Sequence, residues 1–340
     1  MFVFVKKNFP SFFIVALLFL SACQGDLDFD RQLIVGAYTA PREALREINR
    51  AFEKKWQQEK KQSISIKASF LSSGAQSRAV KDGFGAQVVF LALDSDVERL
   101  VEAGLVDPQW RENTPHQGVL VESRVAFAVR AKNPKAIHDW SDLLKPGLTL
   151  VTPNPKTSGG AQWNVLAAYG AALRGHVHGF EATPQGAGNF LKVLLRQVLA
   201  MDKGARDSIL SFERGLGDVA LSYENEILTG QRYGKKYELV LPKSTMRIQN
   251  PVALVKANLK DPLQKELAQA YLAYLFSQEA QSIFAKHGFR PVLEGMKNKF
   301  SEAEDLFDIS FFGGWSKATR DFFAKGGIFV KASEGARTDF

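Results

Sequence analysis

The feature that most constrains the fold is a regular alternation of short apolar runs with amphipathic stretches. The apolar runs read as strands, and each is followed by a stretch with helical spacing of its apolar residues. This alternation predicts an α/β fold with mostly parallel sheets flanked by helices. Because ligands of such sheets bind beyond the carboxyl ends of the strands, functional residues are expected just after them. The first three strands are predicted at 33–38, 64–68 and 88–93.

From residue 123 the pattern restarts, which predicts a second unit of the same kind. A strand at 251–255 is expected to return to the first unit, and one long amphipathic helix is predicted over 264–286. The tail to Phe340 is expected to pack around the first unit. We therefore predict two lobes: lobe I comprises residues 32–120 plus 249–340, and lobe II comprises residues 121–248. Further strands are predicted at 125–129, 148–151, 219–223 and 239–241, and a helix is predicted at 190–199.

The first residues have the pattern of a secretory signal: Lys6 and Lys7, then an apolar run at 12–19, then small residues. The sequence Leu-Ser-Ala-Cys at 20–23 resembles the bacterial lipobox, in which the cysteine is acylated. We therefore expect a signal peptide at 1–22, a lipid on Cys23 and a tether at 23–31, with the protein exported and held on a membrane in the periplasm or cell envelope. The alternative is an ordinary signal with an incidental cysteine.

Composition excludes several classes of function. Cys23 is the only cysteine, so the mature chain has no disulfide, no thiol nucleophile and no cysteine-based metal site. The net charge is +8 over 340 residues, and its basic clusters fall on an amphipathic helix, so no nucleic-acid partner is expected. None of the five histidines has a triad context. His176 and His178 are interpreted as a solvated loop. We expect no enzyme, catalytic residue, metal or cofactor.

The most informative local motif runs from Thr152 to Asn164 and contains Ser158-Gly159-Gly160. It joins a predicted strand to a predicted helix. The first turn of a helix has unpaired N–H donors and a partial positive charge, and glycine lets a ligand approach the backbone closely. This combination is typical of an anion site built from neutral groups.

Three other segments have the same design, each directly before a predicted helix. Any one of them alone reads as an ordinary helix cap. Together, in a two-lobed exported chain, they predict a cleft that closes on a small anion. They are Thr39-Ala40-Pro41, Ser72-Ser73-Gly74 and Gly204-Ala205-Arg206.

The chain resembles the periplasmic sulfate- and thiosulfate-binding proteins of ABC transporters from about residue 33 to about residue 330. The Asn-Pro-Lys-Thr-Ser-Gly-Gly and Glu-Asn-Glu motifs are specific, whereas Gly-Ala-Arg alone is not. The segments that carry the resemblance are 37–43, 72–76, 89–93, 137–140, 152–160, 204–206, 213–219, 224–226 and 312–315.

The resemblance implies a set of ligand-binding residues. Two of them depart from the family pattern: Thr39 stands where the family usually has Asp, and Tyr223 where it has Trp. A backbone N–H survives the first change, and a phenol O–H can still donate after the second, although it can also accept. The implied residues are Thr39, Ser73, Ser158, Gly159, Gly160, Ala205 and Tyr223.

The resemblance also implies a fold and a role. The fold is the two-lobed periplasmic-binding-protein fold of type II, with the ligand in the cleft. The role is capture of sulfate or thiosulfate and delivery to ABC permease subunits with a separate ATPase, by a protein we expect to be a monomer. The alternatives are a binding protein for another oxyanion, such as molybdate or phosphate, and a surface lipoprotein that uses the fold for adhesion or signalling.

Overall fold

A computed structural model describes residues 32–337, except for the side chains of residues 297–299 and 337. The predicted signal peptide, Cys23 and the tether lie outside the described residues. Among those residues, no helix is both long enough and apolar enough to cross a membrane. The strands are β1 Gln32–Tyr38, β2 Ser65–Leu71, β3 Val88–Phe90, β4 Val119–Arg130, β5 Leu150–Pro153, β6 Val198–Asp202, β7 Val219–Tyr223, β8 Tyr237–Val240, β9 Ser244–Leu254, β10 Arg290–Pro291 and β11 Asp305–Phe307.

Helices follow most of these strands, as the alternating pattern predicts. They are α1 Arg42–Lys60, α2 Ser73–Lys81, α3 Asp94–Glu102, α4 Gly159–Leu173, α5 Pro184–Arg196, α6 Ala205–Glu213, α7 Glu224–Arg232, α8 Pro262–Leu275, α9 Gln278–Lys286, α10 Gly314–Ala318 and α11 Ile328–Arg337.

The strands form two groups joined by the long strands β4 and β9. In lobe I, β1 lies between β2 and β3, and all three are parallel. In lobe II, β5 lies between β6 and β7, again in parallel. The strands β4 and β9 are antiparallel to each other, and each also pairs antiparallel within one group, β9 with β3 and β4 with β7. Each lobe thus has a parallel core, and the sheet as a whole is mixed.

Two predicted helices end earlier than expected. The stretch predicted as one helix over 264–286 is two helices, α8 and α9, because Ser277 begins a new helix by accepting a hydrogen bond from the N–H of Ala280. The helix predicted over 190–199 ends at Arg196, and the next residues enter β6, which pairs with β5. In the first case a local helix cap, and in the second a long-range strand pairing, overrides a continuous apolar pattern.

The tail packs differently from the expectation that it surrounds lobe I. Strand β11 pairs with the first residues of β9, and α11 contacts α5 of lobe II. The reason is that α4 is buried on all sides, and a helix that is apolar all round needs a cover on each face. The tail supplies that cover: Phe307 and Phe312 lie so close to Gly170 that a Cβ there would clash with them. The lobe boundaries themselves stay a prediction.

Asp305 fastens the tail to lobe II. Its carboxylate accepts hydrogen bonds from Arg174 Nε and Ser244 Oγ, both at 2.7 Å, and lies 3.3 Å from His176 Nε2. The bonds from Arg174 are the main reason why the pKa of Asp305 falls to about 2. His176, predicted to lie in a solvated loop, is thus partly buried in an ion-pair cluster.

We expect this cluster to make stability depend on pH in the acid range. A carboxyl group with a lowered folded-state pKa stabilises the fold above its unfolded pKa of 3.8, and that contribution is lost as the pH falls towards 2. Asp305→Asn should therefore lower the thermal midpoint at pH 6, and the difference from the wild type should shrink as the pH falls from 4 to 2. A constant difference would contradict the assignment.

Candidate anion-binding site

A small cavity lies where the two lobes meet, at the carboxyl ends of the strands. Its volume is only about 10 Å³, compared with about 300–1,000 Å³ for ordinary ligand pockets. Among the described residues, those that line it include no acidic or basic side chain. The lining residues are Tyr38, Thr39, Ser72, Ser73, Ala92, Ser158, Gly159, Gly160, Gly204, Ala205 and Tyr223.

All seven sequence-predicted site residues line this one cavity. Four lining residues were not among the predicted ligand-binding residues, although Ser72 and Gly204 belong to the predicted cleft segments, and each of the four follows or ends a strand, which is the signal that could have found them. Tyr38 is among them, and its hydroxyl donates to Asn250 Oδ1 at 3.0 Å. These four lining residues are Tyr38, Ser72, Ala92 and Gly204.

Four helices begin at the cavity, and none of them has a side-chain cap among the described residues. These are α1, α2, α4 and α6. Of the other helices, Thr183 caps α5, Asp261 caps α8 and Ser277 caps α9, whereas α3, α7 and α10 also begin without a side-chain cap among the described residues. Uncapped first turns leave N–H donors without an acceptor, and their partial positive charges add at one point. The arrangement favours an anion and argues against reading these segments as ordinary caps.

The loop before α4 is shaped by Asn154. Its side-chain oxygen accepts from the N–H of Lys156 and its carbonyl accepts from the N–H of Ser158, both at 2.9 Å. The N–H of Ser158 is thereby used within the loop, whereas its hydroxyl caps no helix. Ser158 therefore contributes a hydroxyl, and Gly159 and Gly160 contribute first-turn N–H groups.

Both glycines are required by close packing. A Cβ on Gly159 would lie 2.8 Å from Leu93 Cγ and 2.9 Å from Ala92 Cβ, across the junction between the lobes. A Cβ on Gly160 would lie 3.1 Å from Ala205 Cβ and 3.2 Å from Tyr223 Oη. The lobes can approach this closely only because Gly159 has no side chain, whereas Gly160 makes room for Ala205 and Tyr223 within lobe II.

Ser73 presents its backbone rather than its hydroxyl to the cavity. Its Oγ donates to Asp96 Oδ2 at 2.6 Å and accepts from the N–H of Ala92 at 2.9 Å. A hydroxyl has one proton, so the side chain of Ser73 is engaged within lobe I. What remains for a ligand is the N–H of Ser73 in the first turn of α2.

Tyr223 places a hydroxyl group in the cavity wall. The residue is 2% exposed, and its Oη has no hydrogen-bond partner among the described residues. Burial, with smaller contributions from Glu226 and Asp96, raises the pKa of the Tyr223 phenol well above its usual value. The group therefore stays protonated at neutral pH, and a buried donor of this kind needs an acceptor.

Comparison with known proteins agrees with this geometry. The bacterial extracellular solute-binding protein family matches residues 33–290, most of the chain. The chain belongs to this family. Members of a solute-binding family bind a ligand without transforming it, so this solute-binding protein is not an enzyme, as the sequence analysis expected.

The relatives are similar over nearly their whole length. The sulfate-binding protein of Escherichia coli (strain K12) is 40% identical over 94% of this chain and 98% of its own. The thiosulfate-binding protein of the same strain is 34% identical over 90% of this chain and 92% of its own. Both similarities place this solute-binding protein in the sulfate- and thiosulfate-binding group that its motifs resemble.

Solved structures agree with the fold. The sulfate-binding protein SubI of Mycobacterium tuberculosis H37Rv has a TM-score of 0.78 and 34% identity, over 86% of this chain and 99% of its own. The periplasmic binding protein AfuA of Actinobacillus pleuropneumoniae has a TM-score of 0.60 over 89% and 96% of the two chains. At 17% identity, AfuA supports the two-lobed fold alone.

An ion-pair network joins the lobes of this solute-binding protein beside the cavity. Arg206, in the first turn of α6, donates to Glu43 Oε2 of α1 at 2.7 Å, and its Nε lies 2.8 Å from Glu226 Oε2. Burial raises the pKa of Glu226 to about 7, although Arg206 acts in the opposite direction. Since Arg206 follows Ala205 directly, the network holds the start of α6 against lobe I.

Glu43→Gln is expected to weaken anion binding by roughly two- to fivefold, because a partly exposed ion pair contributes little on its own. The unfolding midpoint should change little, since Arg206 still forms its ion pair with Glu226. Calorimetric titration measures the first effect and chemical denaturation the second. Glu59→Gln is the matched control, because Glu59 pairs on the same helix with exposed Lys55 and should leave the affinity unchanged.

Proposed function

We propose that this protein is the extracytoplasmic solute-binding component of an ABC importer and that its ligand is sulfate, with thiosulfate the next candidate. The observation that carries the proposal is the convergence of four uncapped helix N-termini and the unpartnered hydroxyl of Tyr223 on one small cavity with no charged lining residue. The names of the sulfate-binding and thiosulfate-binding relatives support the choice of oxyanion.

The donor set accounts for selectivity. Sulfate is fully ionised at neutral pH and only accepts hydrogen bonds, so a site that consists of donors satisfies it. Hydrogen phosphate carries a proton and needs an acceptor, and leaving that proton without one costs about 1–3 kcal/mol. We assign the donors to the N–H groups of Thr39, Ser73, Gly159, Gly160 and Ala205 and to the hydroxyl groups of Ser158 and Tyr223.

Tyr223 favours a second candidate function, binding of a protonated oxyanion such as hydrogen phosphate. A phenol oxygen can accept as well as donate. Tyr38 Oη, which donates its own proton to Asn250 Oδ1, likewise keeps its lone pairs, so both phenol oxygens of the cavity wall can accept such a proton. Binding of phosphate with an affinity close to that for sulfate would favour this candidate.

Closure of the lobes would bury the anion. We place the hinge at residues 118–123 and 245–251. In support, the two segments are neighbours: Glu122 pairs with Gln249 and Ser123 with Ile248 in the antiparallel strands β4 and β9. The closed form would then dock on permease subunits, and a separate ATPase would drive transport.

We also propose that Cys23 is acylated and that the lipid holds the protein on a membrane facing the periplasm or cell envelope. The lipobox-like sequence at 20–23 supports this. Cys23→Ser is expected to move the protein from the membrane fraction to the soluble fraction of the envelope. A wild type already found in the soluble fraction would exclude the anchor.

The decisive experiment is calorimetry on the purified, ligand-stripped protein with sulfate, thiosulfate, molybdate and phosphate at pH 7. We expect one-to-one sulfate binding with phosphate rejected. If molybdate or phosphate binds more tightly than sulfate, the ligand is that oxyanion and the assignment of sulfate is wrong. Absence of heat with every anion, on folded protein, would refute oxyanion capture and leave adhesion or signalling as the role of the fold.

A further inference from the structure

The segment Phe312-Gly313-Gly314-Trp315 resembles the family but does not reach the cavity. Gly313 and Gly314 both have left-handed backbones, with φ of 76° and 85°, which glycine adopts without strain. This turn brings Trp315 into the interior, where it is 6% exposed. Its ring packs edge-to-face on that of Trp163, with centroids 4.6 Å apart and planes at 85°.

Trp163 links the two lobes. It lies near the start of α4 in lobe II, is 1% exposed, and its Nε1 donates to the carbonyl of Ala92 in lobe I at 3.0 Å. Ala92 lines the cavity, and its N–H donates to Ser73 Oγ. The Trp163 bond therefore reaches a residue that is part of the anion-site wall.

Trp315 is placed to orient the Trp163 indole, which donates to the carbonyl of Ala92. Helix α10, which contains Trp315, contacts α3 of lobe I, while the Trp315 ring covers the indole of Trp163. The same carbonyl of Ala92 also accepts from Asn250 Nδ2, at the longer distance of 3.3 Å. If the lobes separated, the bond between Trp163 and Ala92 would break, whereas the bond to Asn250 of strand β9 would not have to.

We propose that Trp315 is a positioning residue for anion binding: it holds the Trp163 indole in the orientation that bonds to Ala92, and so stabilises the closed, anion-holding form. The inference rests on the proposed function, since closure has a binding role only if an anion is bound. It assigns the C-terminal segment a part in ligand retention rather than a purely structural one. A ligand that needs the closed form binds more weakly when that form is less populated.

The test is a double-mutant cycle on the purified protein, read out as the Kd and the dissociation rate of sulfate. Trp163→Phe removes the N–H donor, and Trp315→Leu removes the ring that orients it. We expect each to raise Kd and the dissociation rate about five- to tenfold, the size of one hydrogen bond or one aromatic pair. The double variant should be scarcely weaker than either single one, because both remove the same interaction. Trp315→Phe, which keeps a ring, should restore part of the affinity.

Phe322→Leu is the matched control. Phe322 is a buried aromatic residue of the same tail that packs edge-to-face on Tyr169 of α4, with centroids 4.9 Å apart. It should lower the unfolding midpoint of the ligand-free protein but leave the Kd for sulfate unchanged. The inference is overturned if Phe322→Leu weakens binding as much as Trp315→Leu, or if the losses of binding free energy in Trp163→Phe and Trp315→Leu are additive. In either case, sulfate binding by the wild type still upholds the proposed function. A wild type that binds no anion overturns both.

Discussion

Replacing Gly159 by aspartate is expected to abolish anion binding while the protein stays folded. A side chain at this position would meet Ala92 and Leu93 at less than 3 Å, as the 2.8 and 2.9 Å approaches show, so the lobes could not close fully. Overpacking of this kind costs about 1–3 kcal/mol. The carboxylate would add repulsion of several kcal/mol against an anion about 4 Å away. Calorimetry should detect no heat of binding for sulfate.

Two further variants separate the steric effect from the charge. Gly159→Ala has the clash without the charge and should weaken binding by about 5- to 150-fold, the equivalent of 1–3 kcal/mol. Gly188→Ala is the control, since a Cβ there meets nothing within 4 Å and lies inside α5. It should stabilise the fold by roughly 0.5–1 kcal/mol and leave binding unchanged. Near-normal affinity in Gly159→Asp would refute the assignment of the site.

Tyr223→Phe should change binding and stability in opposite directions. If Tyr223 Oη donates to the anion, its loss weakens binding by about 1–3 kcal/mol, roughly 5- to 150-fold in Kd. Among the described residues the same hydroxyl has no hydrogen-bond partner, so its removal takes away a desolvation penalty and should raise the free energy of unfolding of the ligand-free protein. Calorimetry and chemical denaturation of the ligand-free protein measure the two effects.

Tyr271→Phe is expected to have the opposite effects: lower stability and unchanged sulfate binding. Tyr271 is also fully buried, but its Oη donates to Asn49 Oδ1 at 2.6 Å, away from the cavity. Its loss leaves the Asn49 oxygen without this donor, so this variant should be less stable and bind sulfate normally. Unchanged affinity in Tyr223→Phe would reduce Tyr223 to a packing residue and remove one of the proposed donors.

Much of the site was accessible from the sequence because its parts are local. Each donor belongs to a short segment that leaves a strand and starts a helix, and a pattern of apolar periodicity followed by small residues marks such a segment. Thr39 lies in such a segment, after β1, whereas Tyr223 was identified only through the resemblance to the family, from whose pattern both residues depart. That these segments meet at one cavity follows from the fold, since the carboxyl ends of parallel strands share one edge.

By itself, the sequence determined the two-lobed α/β architecture and the residues around the anion site, because periodicity and strand–helix junctions are properties of neighbouring residues. Tertiary structure alone decided that the hydroxyl of Ser73 turns to Asp96, that Trp163 bonds to Ala92 and that the tail covers α4 in lobe II. Those outcomes depend on groups far apart in the chain competing for the same hydrogen bonds and the same apolar surface, and no local pattern encodes that competition.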